Sequence, residues 1–163
     1  MRMFLLLAGF FLFNACSLKQ DQLIETDLQA QTLMFSQKYK ISAKDLNAVV
    51  TLSYLNPVLE KQNSNDVLVL VLTPKSFMIQ HLEVFINQRQ AQIEGLKENN
   101  MLLQYLFKNK FSQYFKITSP TKQNETEIKA QICLNFLPCF ELHFQKYPKS
   151  LYYRSVDVDT QYN

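Results

Sequence analysis

The stretch VLVLVLTP, residues 67–74, decides the fold of this chain. Every position from Val67 to Leu72 is apolar, and such a short unbroken run is typical of a strand that is buried on both faces or is central in a sandwich. The preceding NSND segment (63–66) has the composition of a turn, and Pro74 ends the strand because proline cannot donate to a sheet ladder. The sequence therefore predicts a sheet built around this strand.

Alternating patterns on both sides of this stretch predict further strands. Apolar side chains recur at every second position near residues 48–54, 82–86, 91–93, 114–118, 128–132 and 140–144. The segment 82–93 is interpreted as a hairpin that turns near Asn87 to Gln90, and Leu102 to Phe107 suit a short helix. About seven short strands, with turn signals every 8 to 12 residues or so, predict an all-β, immunoglobulin-like antiparallel β-sandwich over residues 41–163.

The N-terminus has the pattern of a signal peptide. In MRMFLLLAGFFLFNACS (1–17), a positive charge at Arg2 is followed by an apolar run from Met3 to Phe13. A bilayer-spanning helix needs roughly 20 apolar residues, and this run ends well short of that length at Asn14. We predict a leader over residues 1–15 that is removed during lipidation. An ordinary cleaved signal peptide and a core helix are the alternatives.

The end of the leader resembles the lipobox of bacterial lipoproteins. A small residue, Ala15, stands immediately before Cys16, with Phe13 where that family usually has leucine. The resemblance implies that Cys16 carries a covalent diacylglycerol and an acyl chain such as palmitate, and anchors the chain in a membrane. Ser17 lacks the acidic character of an inner-membrane retention signal, which implies the outer membrane. Residues 16–40 would then be the lipidated N-terminus and linker.

Composition is that of one globular domain with no recognisable catalytic signature. Apolar residues make up 47% of the chain and aromatic residues 13%, which is enough for a core. Only two glycines occur, so a phosphate-cradling glycine loop is not expected. The net charge of +3 comes from interspersed basic and acidic residues, which indicates a solvated mixed surface. We predict no enzyme activity, no other cofactor, no small-molecule substrate and no nucleic-acid partner.

Two cysteines lie close together in QICLNFLPCFELHF (131–144). If Phe136 is at the tip of a hairpin, Cys133 and Cys139 are opposite each other, because both lie three residues from it. Opposed residues on antiparallel strands have α-carbons about 4.5 to 5.5 Å apart, a separation that a disulfide tolerates. An exported setting is oxidising and favours a structural disulfide, while a redox-active pair and free buried thiols are the alternatives.

Neither histidine has the neighbours of a metal ligand or a general base. His143 shares a strand face with Cys139, but four residues of strand advance about 13 Å, whereas zinc ligands lie about 2.0 to 2.3 Å from the ion. His81 and His143 are therefore interpreted as solvated or core-edge residues. No metal site and no catalytic residue are predicted.

Two resemblances extend these predictions. A sandwich whose late hairpin carries two cysteines five residues apart resembles the N-terminal periplasmic domain of the thiol:disulfide interchange protein, which implies that Cys133 and Cys139 relay electrons to exported proteins. Most of the mature chain, with the tail YPKSLYYRSVDVDTQYN (147–163), is similar to small immunoglobulin-like lipoproteins of the Campylobacter and Helicobacter group. This second likeness implies an envelope protein that works by contact.

The C-terminal tail is rich in residue types that are enriched at interface hot spots. These residues are Tyr147, Tyr152, Tyr153, Arg154 and Tyr162. The tail either packs on the sandwich as a last strand or offers a surface to an envelope protein partner. The sequence as a whole predicts a lipid-anchored, non-catalytic binding or structural module of the bacterial outer membrane that acts through sheet edges or this tail. The alternative is a periplasmic thiol-disulfide carrier.

Overall fold

The computed structural model describes residues 27–43, 46–59, 64–122 and 124–146. Most of these residues lie in strands, with an α-helix at residues 27–34 and a 3-10 helix at Met101–Tyr105. Neither of these two described helices has the length or the apolar content to cross a bilayer.

Nine strands are described, and they form two antiparallel sheets. They are β1 (Ser36–Ala43), β2 (Leu46–Tyr54), β3 (Asn65–Thr73), β4 (Leu82–Ile86), β5 (Arg89–Gln90), β6 (Gln92–Gly95), β7 (Gln113–Pro120), β8 (Glu127–Leu134) and β9 (Phe140–Gln145). Sheet A has the order β1-β2-β3-β7-β6, and sheet B has the order β5-β4-β8-β9. Apart from β1, this is the A-B-E-D and C′-C-F-G arrangement of immunoglobulin-like domains. The predicted all-β sandwich is confirmed.

The main core lies between the two sheets and is filled from alternate strand positions. In β2, the face predicted from the sequence is buried, and it comprises Ala48, Val50, Leu52 and Tyr54. In the β8–β9 hairpin, the buried residues are Ile128, Ala130, Ile132, Leu134, Phe140, Leu142 and Phe144. Each large aliphatic side chain contributes about 1.5–3 kcal/mol when it is removed from water.

A second core covers the outer face of sheet A and explains why β3 is apolar at every position from Val67 to Leu72. Leu68, Leu70 and Leu72 face the main core, whereas Val69 faces outward and is still fully buried. It packs in a cluster with Leu55, Val58, Leu103, Tyr105 and Leu106, most of which belong to the segment around the 3-10 helix. The prediction of a strand buried on both faces is confirmed. The short helix predicted over 102–107 is this 3-10 helix.

The sandwich begins at Ser36, earlier than the boundary at residue 41 predicted from the sequence. β1 pairs with β2 from Ser36 opposite Ser53 to Ala43 opposite Leu46. Its sequence, SQKYKISA, is largely polar, and Ile41 is buried in the main core. Apolar residues alternate in β1 only at Tyr39, Ile41 and Ala43, a shorter pattern than in β2 or β8, so the sequence does not extend the predicted sandwich to Ser36.

The hairpin predicted over 82–93 is correct in its first arm and its turn but wrong in its second arm. β4 and β5 pair across Asn87 and Gln88, whose φ angles of 47° and 66° suit a two-residue hairpin turn. After β5 the chain passes Ala91, whose N–H donates to the carbonyl oxygen of Val84 at 2.8 Å, and joins sheet A as β6. Ala91 is thus a crossing point between sheets. This division, together with β1, raises the strand count from about seven to nine.

Several predictions from the sequence concern residues outside the described ranges. They are the leader at 1–15, the lipidation site Cys16 and the surface residues Tyr147, Tyr152, Tyr153, Arg154 and Tyr162.

Candidate binding surface

Three loops lie together at one end of the sandwich, which we call the loop end. They are the β3–β4 loop (74–81), the β6–β7 loop (96–112) and the β8–β9 loop (135–139). The strand register brings them together. Leu72 near the end of β3 is opposite Gln113 at the start of β7, and Leu82 at the start of β4 is opposite Leu134 at the end of β8.

Asn135 fastens the β8–β9 loop to the β3–β4 loop. Its side-chain oxygen accepts hydrogen bonds from the backbone N–H groups of Gln80 (2.8 Å) and His81 (3.1 Å), and its amide nitrogen donates to the carbonyl oxygen of Met78 (2.9 Å). Its backbone has φ 52°, a left-handed conformation that asparagine tolerates better than most residues. The two loops are therefore held by one polar side chain at a defined spacing.

Gln113 and Phe111 fasten the β6–β7 loop to the same β3–β4 loop. The side-chain amide of Gln113 donates to the carbonyl oxygens of Lys75 (3.1 Å) and Phe77 (2.8 Å), and the backbone N–H of Lys75 donates to the carbonyl oxygen of Phe111. Phe77 is buried in the main core. Because these bonds connect all three loops, the loop end is a continuous surface on a fixed base.

Large apolar side chains project from this surface into solvent. Phe136 at the tip of the β8–β9 loop is 94% exposed, Met78 is 77% exposed and Phe111 is 61% exposed. Met101 and Phe107 of the β6–β7 loop are exposed as well. Five of the nine exposed large hydrophobic residues in the described ranges thus belong to the loop end, although the three loops are a small part of the chain. A concentration of this kind is typical of an interaction surface.

Basic side chains accompany the exposed aromatic residues. A cleft of about 450 Å³ is lined by Lys75, Lys108 and Lys110 together with Glu98, Leu103 and Tyr114. Lys75 Nζ lies 3.8 Å from a carboxylate oxygen of Glu98, and Lys110 Nζ lies 5.1 Å from the ring centroid of Phe111. The surface therefore combines positive charge with apolar tips, which suits non-covalent binding of an anionic, partly apolar partner.

The cysteine pair is a disulfide beside the loop end. Cys133 and Cys139 are bonded, with α-carbons 4.3 Å apart. The β8–β9 register, in which Ile132 is opposite Phe140, is centred on Phe136 as the sequence predicts. The buried residues of β8 alternate with Cys133, which places the disulfide on the outer face of sheet B. The predicted disulfide between Cys133 and Cys139 is confirmed.

Glu83 of β4 is the cross-strand neighbour of Cys133 of β8, and both side chains lie on the outer face of sheet B. The carboxylate of Glu83 lies 3.4 Å from Nε2 of His81.

Both histidines are exposed on the same outer face. The distance from His81 Nε2 to Glu83 Oε2 is 3.4 Å, and the distance from His143 Nε2 to Glu141 Oε2 is 3.5 Å. Among the described residues, no three His, Cys, Asp or Glu side chains are grouped so that they could hold a metal ion. The prediction that His81 and His143 are solvated is confirmed.

A partly buried cluster of charges lies at the opposite end of the sandwich and was not predicted from the sequence. The guanidinium of Arg89 donates to both carboxylate oxygens of Glu125 at 2.6 and 3.0 Å, and Lys146 Nζ lies 2.7 Å from Asp66 and 3.3 Å from Glu125. The hydrogen bond from Arg89 is the main reason why the pKa of Glu125 is lowered to about 2, and the same bond raises the pKa of Arg89. Two positive and two negative charges balance, so the cluster joins the sheets rather than attracting a ligand.

The edge of sheet B at β9 is occupied by a side chain from β1. The amide of Gln37 donates to the carbonyl oxygen of His143 and accepts from the backbone N–H of His143 at 3.1 Å. Nearby, the rings of Tyr39 and Phe140 are stacked with centroids 3.8 Å apart. An amide that pairs with strand backbone in this way blocks the addition of another strand at this point.

No protein-family model, curated protein or solved structure matches this chain. The likenesses to the lipoprotein group and to the thiol:disulfide interchange protein therefore stay predictions.

Proposed function

We propose that this chain is a lipid-anchored lipoprotein of the bacterial cell envelope and that it acts as a non-catalytic binding or structural module. In this proposal the leader at 1–15 directs export, and a diacylglycerol and an acyl chain on Cys16 hold the protein at the outer membrane. The sandwich then presents the loop end to a partner.

The disulfide between Cys133 and Cys139 is the observation that supports the envelope location best. Stable disulfides are rare in the cytosol, where thiols are kept reduced, and are common in the periplasm and at cell surfaces. This one lies on the outer face of sheet B, and Cys139 is exposed to reductants. A disulfide at such a position fits a chain that the leader exports from the cytosol.

The loop end supports the binding role. Its three loops are fixed by the hydrogen bonds of Asn135 and Gln113, so little conformational entropy is lost when a partner binds. Binding through the β9 edge is less favoured, because Gln37 occupies that edge at His143. The tail residues Tyr147, Tyr152, Tyr153, Arg154 and Tyr162 are proposed as a second surface for an envelope protein partner.

A thiol-disulfide carrier is the second candidate, and the exposure of Cys139 favours it. A carrier also needs a sulfur that is readily present as a thiolate. The disulfide closes the hairpin of the paired strands β8 and β9, an arrangement that suits a structural crosslink. We therefore propose a structural role for the disulfide within the binding module.

Detergent partitioning of the Cys16→Ser variant tests the lipid anchor. The full chain, expressed in a bacterium that acylates lipoproteins, should enter the detergent phase, whereas Cys16→Ser should stay in the aqueous phase or retain its leader. Ser17→Ala is the matched control, because it changes the neighbouring residue and keeps the thiol. Cys16→Ser protein that has lost its leader and still enters the detergent phase as fully as the wild type would refute the anchor.

A further inference from the structure

We infer that the loop end binds the surface of an anionic phospholipid bilayer, with Met78, Phe111 and Phe136 entering the interface and Lys75, Lys108 and Lys110 lying at the phosphates. The inference rests on the proposed binding role and adds the chemistry of the partner. It also assigns a membrane contact to the protein surface, in addition to the covalent lipid.

Charge complementarity selects an anionic partner. The three loops contain Lys75, Lys97, Lys108 and Lys110, with Glu98 as their acidic residue. Subtracting these four lysines and one glutamate from the 17 basic and 14 acidic residues of the chain leaves 13 of each. The loop end therefore carries a net charge of +3, and removal of Arg2 with the leader leaves the rest of the chain at −1. The balanced charge cluster of Asp66, Arg89, Glu125 and Lys146 lies at the opposite end.

The kinds of residue favour a lipid surface over a protein partner. Protein interfaces are depleted in Lys, and their hot spots are enriched in Trp, Tyr and Arg; because Phe and Met are common at protein interfaces as well, the lysines carry the distinction. The three loops contain no Trp or Arg, and their tyrosine, Tyr105, is buried. Phenylalanine tips with surrounding lysines are typical of surfaces that enter the boundary between headgroups and acyl chains. Lysine suits this position because the methylene groups of its side chain can lie beside the apolar side chains while its ammonium group stays at the phosphates.

The position of the lipid anchor allows this contact. Cys16 precedes Asp27, the first residue of the helix 27–34, by 11 residues, which span up to about 38 Å when extended. The helix lies against the β6–β7 loop, where the side-chain amide of Gln29 donates to the carbonyl oxygen of Gln104 at 3.4 Å. An eight-residue strand such as β1 is about 27 Å long. The segment between Cys16 and Asp27 is therefore long enough for the loop end to reach the same membrane that holds the lipid.

Vesicle binding of the unlipidated chain tests the inference. A chain that starts at Ser17 retains all residues of both sheets and both cores, and it separates the protein surface from the anchor. Its partition coefficient should be at least about tenfold higher on vesicles of phosphatidylcholine and phosphatidylglycerol than on pure phosphatidylcholine, and added salt should reduce it. Equal binding to the two vesicle types, or no binding to either, would overturn the inference.

Paired variants locate the contact. The double variant Lys108→Gln with Lys110→Gln should lower the partition coefficient about fivefold per lysine. The control Lys40→Gln with Lys129→Gln removes the same charge away from the loop end and should lower the partition coefficient less. Phe111→Gln with Phe136→Gln should also weaken binding, in contrast to Leu33→Gln with Met34→Gln on the helix 27–34. All of these side chains are exposed, and unchanged thermal unfolding verifies the fold. If a loop-end variant and its matched control lose the same fraction of the partition coefficient, the inference is overturned.

The outcome of the vesicle-binding experiment does not depend on whether Cys16 is acylated. If the chain captures an acidic protein but no vesicle, the lipid inference fails and the binding module stands. If Cys16 is not acylated but the vesicles still bind, the anchor fails and the lipid inference stands.

Discussion

The Nζ atom of Lys146 lies 2.7 Å from Oδ2 of Asp66, and both side chains are almost completely buried. Asp66 belongs to β3 of sheet A, and Lys146 follows β9 of sheet B, so the pair joins the sheets at the end opposite the loop end. Tyr54 donates to the other carboxylate oxygen at 3.2 Å. Among the described residues, Oδ2 accepts no hydrogen bond of regular geometry, and its charge is balanced by Lys146 at close range.

Removal of Lys146 should be strongly destabilising. Lys146→Met leaves the Asp66 carboxylate buried without its partner, and we expect a loss of about 3–5 kcal/mol in the free energy of unfolding, measured in urea. Lys75→Met removes one member of an exposed pair with Glu98 and should cost less than about 1 kcal/mol. The double variant Asp66→Leu with Lys146→Met should be more stable than Lys146→Met alone. Similar small losses in Lys146→Met and Lys75→Met would contradict this account.

Glu125 should make the protein less stable in acid. Its pKa in the folded protein is about 2, below the ordinary value of 4.5, mainly because of the hydrogen bond from Arg89. Its contribution is therefore complete above pH 4.5 and is lost as the pH falls from there to about 2. In Glu125→Gln the slope of unfolding free energy against pH should be smaller in this window, by up to about 1.4 kcal/mol per pH unit. Arg89→Gln should reduce the slope similarly, and unchanged slopes in both variants would contradict the prediction.

The disulfide should stabilise the fold without exchanging with other proteins. The double variant Cys133→Ser with Cys139→Ser should lose about 2 kcal/mol of unfolding free energy, because the closed loop is short. Addition of dithiothreitol should lower the free energy of unfolding of the wild type to the value of the double variant and should leave the double variant unchanged. Mixed disulfides trapped in cells by Cys139→Ser alone would instead support the carrier function.

Gln37 should protect the β9 edge. In Gln37→Ala the backbone groups of His143 lose their side-chain partner, so the edge can pair with a second molecule. We expect a loss of about 1 kcal/mol in stability and self-association that increases with concentration, measured by sedimentation velocity. Lys40→Ala, on the same strand, is the control. A monomeric Gln37→Ala protein at all concentrations would exclude this role.

Patterns within single strands predicted most of the fold. The run from Val67 to Leu72 identified the strand that is buried on both faces, and the symmetry of Cys133 and Cys139 about Phe136 predicted the last hairpin and its disulfide. These features depend on neighbours in sequence, where the two-residue period of a strand is decisive.

Features that depend on distant residues could not be predicted in the same way. β1 is stabilised by pairing with β2 rather than by its own apolar pattern, and the crossing at Ala91 depends on a hydrogen bond to Val84. The loop end is formed by three separate loops whose exposed residues look like ordinary loop sequence. The charge cluster joins residues from four distant segments, and their spacing carries no signal.

The proposed attachment of this sandwich to a membrane depends on acylation of Cys16. Mass spectrometry of the N-terminal peptide, from protein purified from bacterial membranes, tests this acylation. We expect a chain that starts at Cys16 and carries a diacylglycerol and an acyl chain. A chain with an intact leader, or with an unmodified Cys16, would contradict it.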